Sequence, residues 1–449
     1  MSEPARPGQA FGRVIWVPLT LSLRPILLAL VIASLLSSGP ARAEEPASAG
    51  SAQQEAGETN ADGAGAAGAP AANAEKIRIV LAREIREDRL PPLSLLDIAP
   101  PDDGVAGAKL AISDNNTTGR FLGQEFVLGN VSSASKDELV AEVSRLVAEG
   151  VGFVIADAEP DTILKLADAV KDKDALIFNA SAPDDMLREE SCRKNVKHTA
   201  PTRSMLADAL SQYFAWKQWR NWFLIIGPAE KDKLFADALR RAAKRFGHKI
   251  VEERTFEYDP GSRRSDGGFE QIQQQIPSFT QRAPAHDVVV VSDEGELFGD
   301  YFPYRTWDAR PVAGTSGLYP TSWHPAVELW GGTQFQNRFK RLAGRTMRPL
   351  DYNVWMAIRS VGEAATRKKS TVTKDLIEYM RSPEFELAAF KGQKLTYRTW
   401  NGQLRQPILL ATAKIQVTLS PQPGFLHQFT ELDTLGIDKP ESKCKAFAP

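Results

Sequence analysis

Residues 151–185 constrain the fold more than any other stretch. They read VGFVIADAEPDTILKLADAVKDKDALIFNASAPDD. An apolar run at 151–156 leads into a turn at 157–160, an amphipathic segment at 161–171, a second apolar run at 175–180 and a second turn at 179–183. Short runs that are apolar throughout belong to strands buried on both faces, and a helix-period segment between two of them makes a βαβ unit of a parallel sheet. In open α/β sheets, ligands lie outside the carboxyl ends of the strands. Two such ends stand together here, each with small polar residues, so the stretch reads as half of a ligand cleft.

The rest of the chain supplies the other half. A strand is expected at 77–82, a helix-like pattern at 103–116, a strand at 126–128 and an amphipathic helix at 136–149, with Ser135 as N-cap and Gly150 as C-cap. From Pro201 a second alternating set begins: a helix at 204–216, strands at 222–226, 250–256, 288–291 and 312–314, and helices at 232–246 and 269–281. Helices follow at 334–344, 351–367 and 372–381. Residues 394–400 and 407–419 then alternate like one β-hairpin around Asn401-Gly402. Two consecutive β/α sets imply an α/β chain of two Rossmann-like lobes with an interlobe cleft, where a small molecule is most readily held.

A chain of 449 residues is long enough for this. Its 55 basic and 56 acidic residues give a net charge of −1 and no basic run, which argues against a nucleic-acid partner. At the N-terminus Arg6, Arg13 and Arg24 precede an apolar run at 26–36 and the small-x-small triplet Ala41-Arg42-Ala43. This reads as a signal peptide over residues 1–43, with an uncleaved anchor as the alternative. Residues 44–75 form an Ala/Gly-rich leader without enough apolar surface to order itself. Its Gly63–Gly68 segment matches a dinucleotide fingerprint only formally, since no strand precedes it. The mature protein is expected outside the cytoplasm, with no further membrane-inserting segment. In that oxidising setting the two cysteines, Cys192 and Cys444, suggest one disulfide, and two free thiols are the alternative.

Residues 76–425 resemble the type I periplasmic solute-binding proteins of the branched-chain amino-acid branch. The resemblance rests on residues 103–115 (DGVAGAKLAISDN), on the 151–185 unit and on Asn401-Gly402 followed by Gln406-Pro407. Residues 195–201, 244–247, 314–318, 323–325 and 330–339 are more similar to one subgroup, the binding proteins of ABC systems associated with pyrroloquinoline-quinone (PQQ)-dependent alcohol oxidation. The resemblance implies the type I periplasmic binding protein fold, with residues 76–200 and 323–392 in lobe one and 201–322 and 393–449 in lobe two. It also implies capture of a small solute, delivery to a membrane permease, no catalysis and no required cofactor, PQQ being a possible transported ligand.

By family position Asp157 and Ser181 are first-lobe ligand candidates, with Asn179 in the same second turn, and Thr315 and Ser316 are second-lobe ones, joined by Asp293 because it directly follows the strand at 288–291. Amino-acid binders offer hydroxyls to the ligand carboxylate and an acid to its ammonium. Here Asp157-Ala158-Glu159 would repel a carboxylate, and Thr315-Ser316-Gly317 stands where the acid would be. That points away from an ordinary amino acid. Arg305, Trp307, Tyr319 and Trp323 follow the last strands of lobe two. They either stack on a planar anionic or quinone-like solute or pack the hinge. Asp293-Glu294 either contacts a ligand or starts a helix. The five histidines, His198, His248, His286, His324 and His427, lack metal-ligand spacing, so no metal site is expected. Two other function classes stay open: a ligand sensor docking on a receptor, and an enzyme with dispersed residues.

Overall fold

The structure, a computed structural model, describes residues 74–86, 98–257 and 268–447. The expected signal peptide, the glycine-rich match and nearly all of the leader lie outside the described residues.

Lobe one is built on a parallel sheet. Strand β1 (Glu75–Glu84) leads through helix α1 (Val105–Gly119) to β2 (Gln124–Ser133). Helix α2 (Lys136–Ala148) leads to β3 (Phe153–Asp157), and α3 (Pro160–Ala169) to β4 (Leu176–Asn179) and then β5 (Val196–His198). The sheet order is β2-β1-β3-β4-β5. Because side chains alternate along a strand, β1 feeds two cores. Ile77, Ile79 and Leu81 pack with α1 on one face, and Val80 and Ala82 pack with Leu139 and Val143 of α2 on the other. In β3 every residue is buried, which is why residues 153–156 are apolar without alternation. Each such Phe, Val or Ile contributes about 1.5–3 kcal/mol as an upper bound. Helix α2 starts where Ser135 Oγ accepts from the Glu138 N–H at 3.3 Å.

Lobe two repeats the plan. Helix α4 (Arg203–Lys217) precedes β6 (Asn221–Ile226), α5 (Glu230–Phe246), β7 (Lys249–Thr255), α6 (Gly268–Thr280), β8 (Val288–Ser292) and β9 (Val312–Gly314). The parallel order is β7-β6-β8-β9. Trp222, Leu224, Val288 and Val290 face α4 and α5, while Phe223, Ile225, Val289 and Val291 face a cluster with Phe256, Phe298 and Phe302.

After β10 (Tyr319–Thr321) the chain returns to lobe one with α7 (Gly332–Ala343), α8 (Pro349–Lys368) and α9 (Thr373–Arg381). Helix α8 lies hard against α1: a Cβ on Gly107 would sit 2.0 Å from the Asp351 carbonyl oxygen. Short strands follow: β11 (Leu387–Ala388), β12 (Lys394–Tyr397), β13 (Leu404–Arg405), β14 (Ile408–Ala411) and β15 (Gln416–Ser420). The single hairpin expected over 394–419 is therefore two. The first pairs β12 with β13 around Asn401-Gly402, and the second pairs β14 with β15. The physical reason is a change of partner. Leu395, Tyr397 and Leu404 pack into the lobe-one core, whereas Ile408 and Leu410 pack into lobe two, with Leu409 facing lobe one.

The C-terminal residues run back across the molecule. Thr434 and Gly436 bond to Gln212 and Asp208 of α4, at 2.9 and 2.8 Å. Further on, the Lys443 N–H donates to Glu189 Oε2 at 2.6 Å. Cys444 is joined by a disulfide to Cys192, with Cα atoms 5.6 Å apart. The tail thus leaves lobe two and ends fixed to lobe one. Among the described residues no helix is long and apolar enough to cross a membrane.

Candidate functional site

The carboxyl ends of β1, β3 and β4 form the lobe-one side of the cleft. Asp157 ends β3 and is buried. Its Oδ2 lies 3.5 Å from Arg83 Nε and its Oδ1 lies 3.0 Å from Arg86 Nη2. Arg86 Nε also reaches Glu159 at 3.0 Å. Ser181 Oγ accepts from the Ala158 N–H at 3.0 Å and stands 3.5 Å from Arg86 Nη2. The two turns predicted from 151–185 are thus tied by one hydroxyl and one guanidinium. Asn179 has a different part. It is fully buried, its Oδ1 accepts from the Ser181 and Ala182 N–H groups, and its Nδ2 donates to the Ala182 carbonyl at 2.8 Å. It shapes the turn from beneath, as Asn side chains do.

On lobe two the polar groups turn inward. Asp293, just past β8, is 1% exposed, and its Oδ2 accepts from the N–H groups of Leu297, Phe298 and Gly299 at 2.8, 2.8 and 2.7 Å. Burial pushes its carboxyl up, and these backbone donors oppose the shift. Its Oδ1 has no hydrogen-bond partner among the described residues. Thr315 Oγ1 accepts from the Asp293 N–H at 2.9 Å, and Ser316 Oγ donates to the Gly299 carbonyl at 2.9 Å. The three second-lobe candidates are therefore brought together, as a brace for residues 297–301. Beside them Asp232, in the first turn of α5, is raised to about 6 by burial and by the charge of Asp293.

Arg203 joins the two sides. Its Nη1 lies 2.7 Å from Asp184, in the turn after β4, and its Nη2 lies 2.7 Å from Glu294, in the turn after β8. Burial opposes the guanidinium charge, but Glu294 and Asp184 outweigh it and raise the group. One side chain at the start of α4 thus bridges the ligand-side turns of both lobes.

The aromatic candidates do not join this group. Phe302 is buried against Phe256, Phe279 and Phe298, and this turns the following loop away from Asp293. The Trp307 N–H donates to Thr280 Oγ1 at the end of α6, and Pro311 accepts from the Val289 N–H. Arg305 and Trp307 are exposed on this loop, toward the end of the sheet where β8 and β9 begin. Trp323 is in the lobe-one core, stacked on Tyr352 with ring centroids 4.5 Å apart. Tyr319 is half-buried on β10, 6.2 Å from the His324 ring.

Arg83, Arg86, Asp184 and Arg203 were not among the candidates read from the sequence. For Arg203 a signal existed: a cation in the first turn of a helix opposes the helix dipole and calls for an acidic partner. Among the described residues no group of His, Cys, Asp or Glu could hold a metal ion.

With this geometry in place, the chain can be set beside known proteins. A sequence model of the family described as periplasmic binding protein matches residues 101–276. No curated protein matches in sequence. Among solved structures, a periplasmic binding protein from Burkholderia mallei superposes with a TM-score of 0.60 at 14% identity, over 84% of this chain and 100% of that one. A branched-chain amino acid ABC transporter periplasmic ligand-binding protein from Burkholderia xenovorans gives 0.60 at 18% identity, over 76% and 90%. An ABC transporter solute-binding protein from R. palustris in complex with benzoate gives 0.56 at 12% identity, over 83% and 99%. The fold is that of the type I periplasmic binding proteins.

Proposed function

We propose that this protein is the periplasmic solute-binding component of an ABC-type uptake system, taking a small solute between its lobes and passing it to a membrane permease. The observation that carries this is the Arg203 bridge, which links the strand-end turns of two parallel sheets at the place where α/β sheets bind ligands. Two lobes joined in this way capture solutes by hinge closure. The structural relatives, named for branched-chain amino acids or bound to benzoate, support a solute with a carboxylate. The pairing of Asp157 and Glu159 with Arg83 and Arg86 weakens the charge objection to such a solute, because each of these two acids has a cationic partner.

For the solute we propose a compound tied to PQQ-dependent alcohol oxidation, either PQQ itself or a substrate or product. Support for this comes from the sequence resemblance alone, since Trp307 and Arg305 lie on a loop that leads away from Asp293. The test is mass spectrometry of co-purified ligand, followed by titration with PQQ, leucine and short alcohols and acids while tryptophan fluorescence is recorded. Tight binding of leucine alone overturns the PQQ link and leaves solute capture standing. Turnover of a bound compound overturns solute capture as the whole function.

A further inference from the structure

Lobe one carries a second concavity, at the opposite end of its sheet from the cleft. It has a volume of about 470 Å³ and takes in Ala175, just before β4, and Asn195, just before β5. Asn179 lies at the other end of β4, next to the end of the parallel strand β3 that carries Asp157. The basic residues Lys171, Lys173, Arg193, Lys194, Lys374 and Arg381 line it, against three acids, Asp168, Asp174 and Glu378. Three separate segments supply these cations: the α3–β4 link, the link before β5, and α9.

The acids neutralise only part of them, since six cations face three acids. Asp168 is taken by Arg193 in a bidentate pair, at 2.7 and 3.0 Å. Lys173, Lys194 and Lys374 form no ion pair among the described residues. Arg381 is the most demanding group. Its guanidinium is half-buried and gives one N–H to the Lys194 carbonyl at 3.2 Å. Its enclosed Nε has no hydrogen-bond partner among the described residues. Lys197, fully buried on β5, is held near 7 by burial and by the charge of Arg381. A guanidinium with an unmet donor, facing a hollow with surplus positive charge, has the features that recognise a planar or tetrahedral oxyanion.

We infer that this hollow is a second binding site, remote from the interlobe cleft, for a phosphate-bearing anion. Its size suits a small phosphorylated molecule or a single headgroup. Arg381 would supply directed hydrogen bonds, and Lys194 and Lys374 would supply charge at the rim.

The probe is pyrophosphate, titrated calorimetrically into the full mature chain at low salt. Saturable binding is expected, weakened about tenfold in Arg381→Gln, the loss of one charged hydrogen bond. Lys374→Gln, an exposed change that leaves the fold intact, is expected to weaken it about threefold. Lys233→Gln on α5 serves as the control and should bind as wild type does. No pyrophosphate binding by wild type, or equal binding by Arg381→Gln and Lys374→Gln, overturns the inference. Sedimentation with phosphatidylglycerol vesicles separates the sources. Vesicle binding lost in the same two variants assigns a lipid headgroup, and pyrophosphate binding without it assigns a soluble phosphate ester.

Discussion

The two lobes present the same topological position, the turn after a buried parallel strand, and spend it differently. In lobe one Asp157 closes β3 and pairs with two arginines whose side chains are 23% and 42% exposed. In lobe two Asp293 follows β8 and is turned inward onto three backbone N–H groups. One carboxylate is an ion-pair partner at the cleft and the other is a staple of its own loop. An acid at a strand end is therefore not a ligand group by position alone. What surrounds it decides, and here the difference assigns stability to lobe two and adjustability to lobe one.

The largest expected effect tests the staple. Asp293→Ala strands three buried N–H donors and should cost about 3–6 kcal/mol in urea unfolding. Asp157→Ala, whose partners keep access to water, should cost about 1 kcal/mol. Equal losses would break the comparison. Arg203→Ala comes next. It leaves Asp184 and Glu294, 14% and 17% exposed, without their shared cation, for about 3 kcal/mol and a weaker grip on solute. Arg203→Lys should recover only part, since it lacks the fork that reaches both acids.

A third test sharpens the comparison through pH. The fully buried lysines Lys197 and Lys391 pack against lobe-one rings, Tyr397 and Tyr352, and burial holds both near 7. Between pH 7 and about 10 the unfolded chain binds protons that the folded chain has released. Stability should therefore rise with pH, by about 1.4 kcal/mol per unit for each lysine. Lys391→Met should flatten that rise in urea melts at pH 7–9.5. Lobe two runs the other way. Burial raises Asp208 and Asp232 to about 6, so the folded chain keeps their protons longer and stability should fall as pH rises from about 4 to 6. Asp103 in lobe one shares that sign, raised by burial and by Asp351. The smallest effect on stability, under about 1 kcal/mol, is expected of Asp157→Ser. It should instead shift solute selectivity in the fluorescence titration. Unchanged selectivity would remove the turn from the site.

The alternation of buried runs with amphipathic segments was enough to read most of both sheets, because parallel strands covered on both faces leave a pattern that few other structures share. Strand β5 escaped, since Val196-Lys197-His198 buries a lysine and a histidine that read as polar link. The split of the C-terminal hairpin escaped because 407–411 is apolar on every residue, and only three dimensions show that Leu409 faces one lobe while Ile408 and Leu410 face the other. The site was legible in part. Asp157 and Ser181 meet because two strand ends are neighbours, as the βαβ unit requires. Arg83, Arg86 and Arg203 come from three other places in the chain, and charged residues at element ends look the same whether they face solvent or a partner. Arg305 and Trp307 stand apart from Asp293 for a further reason: a loop that leaves the cleft end of a sheet must return to the other end before the next parallel strand begins.

The disulfide between Cys192 and Cys444 spans 252 positions of sequence. Every passage of the chain between the lobes falls inside that span. The two lobes are therefore links in one covalent ring, not beads on a string. A protease that cuts any single crossover, at 199–202, 315–322, 406–407 or 437–442, opens the ring without parting the molecule. The fragments should migrate as one species until a reductant is added.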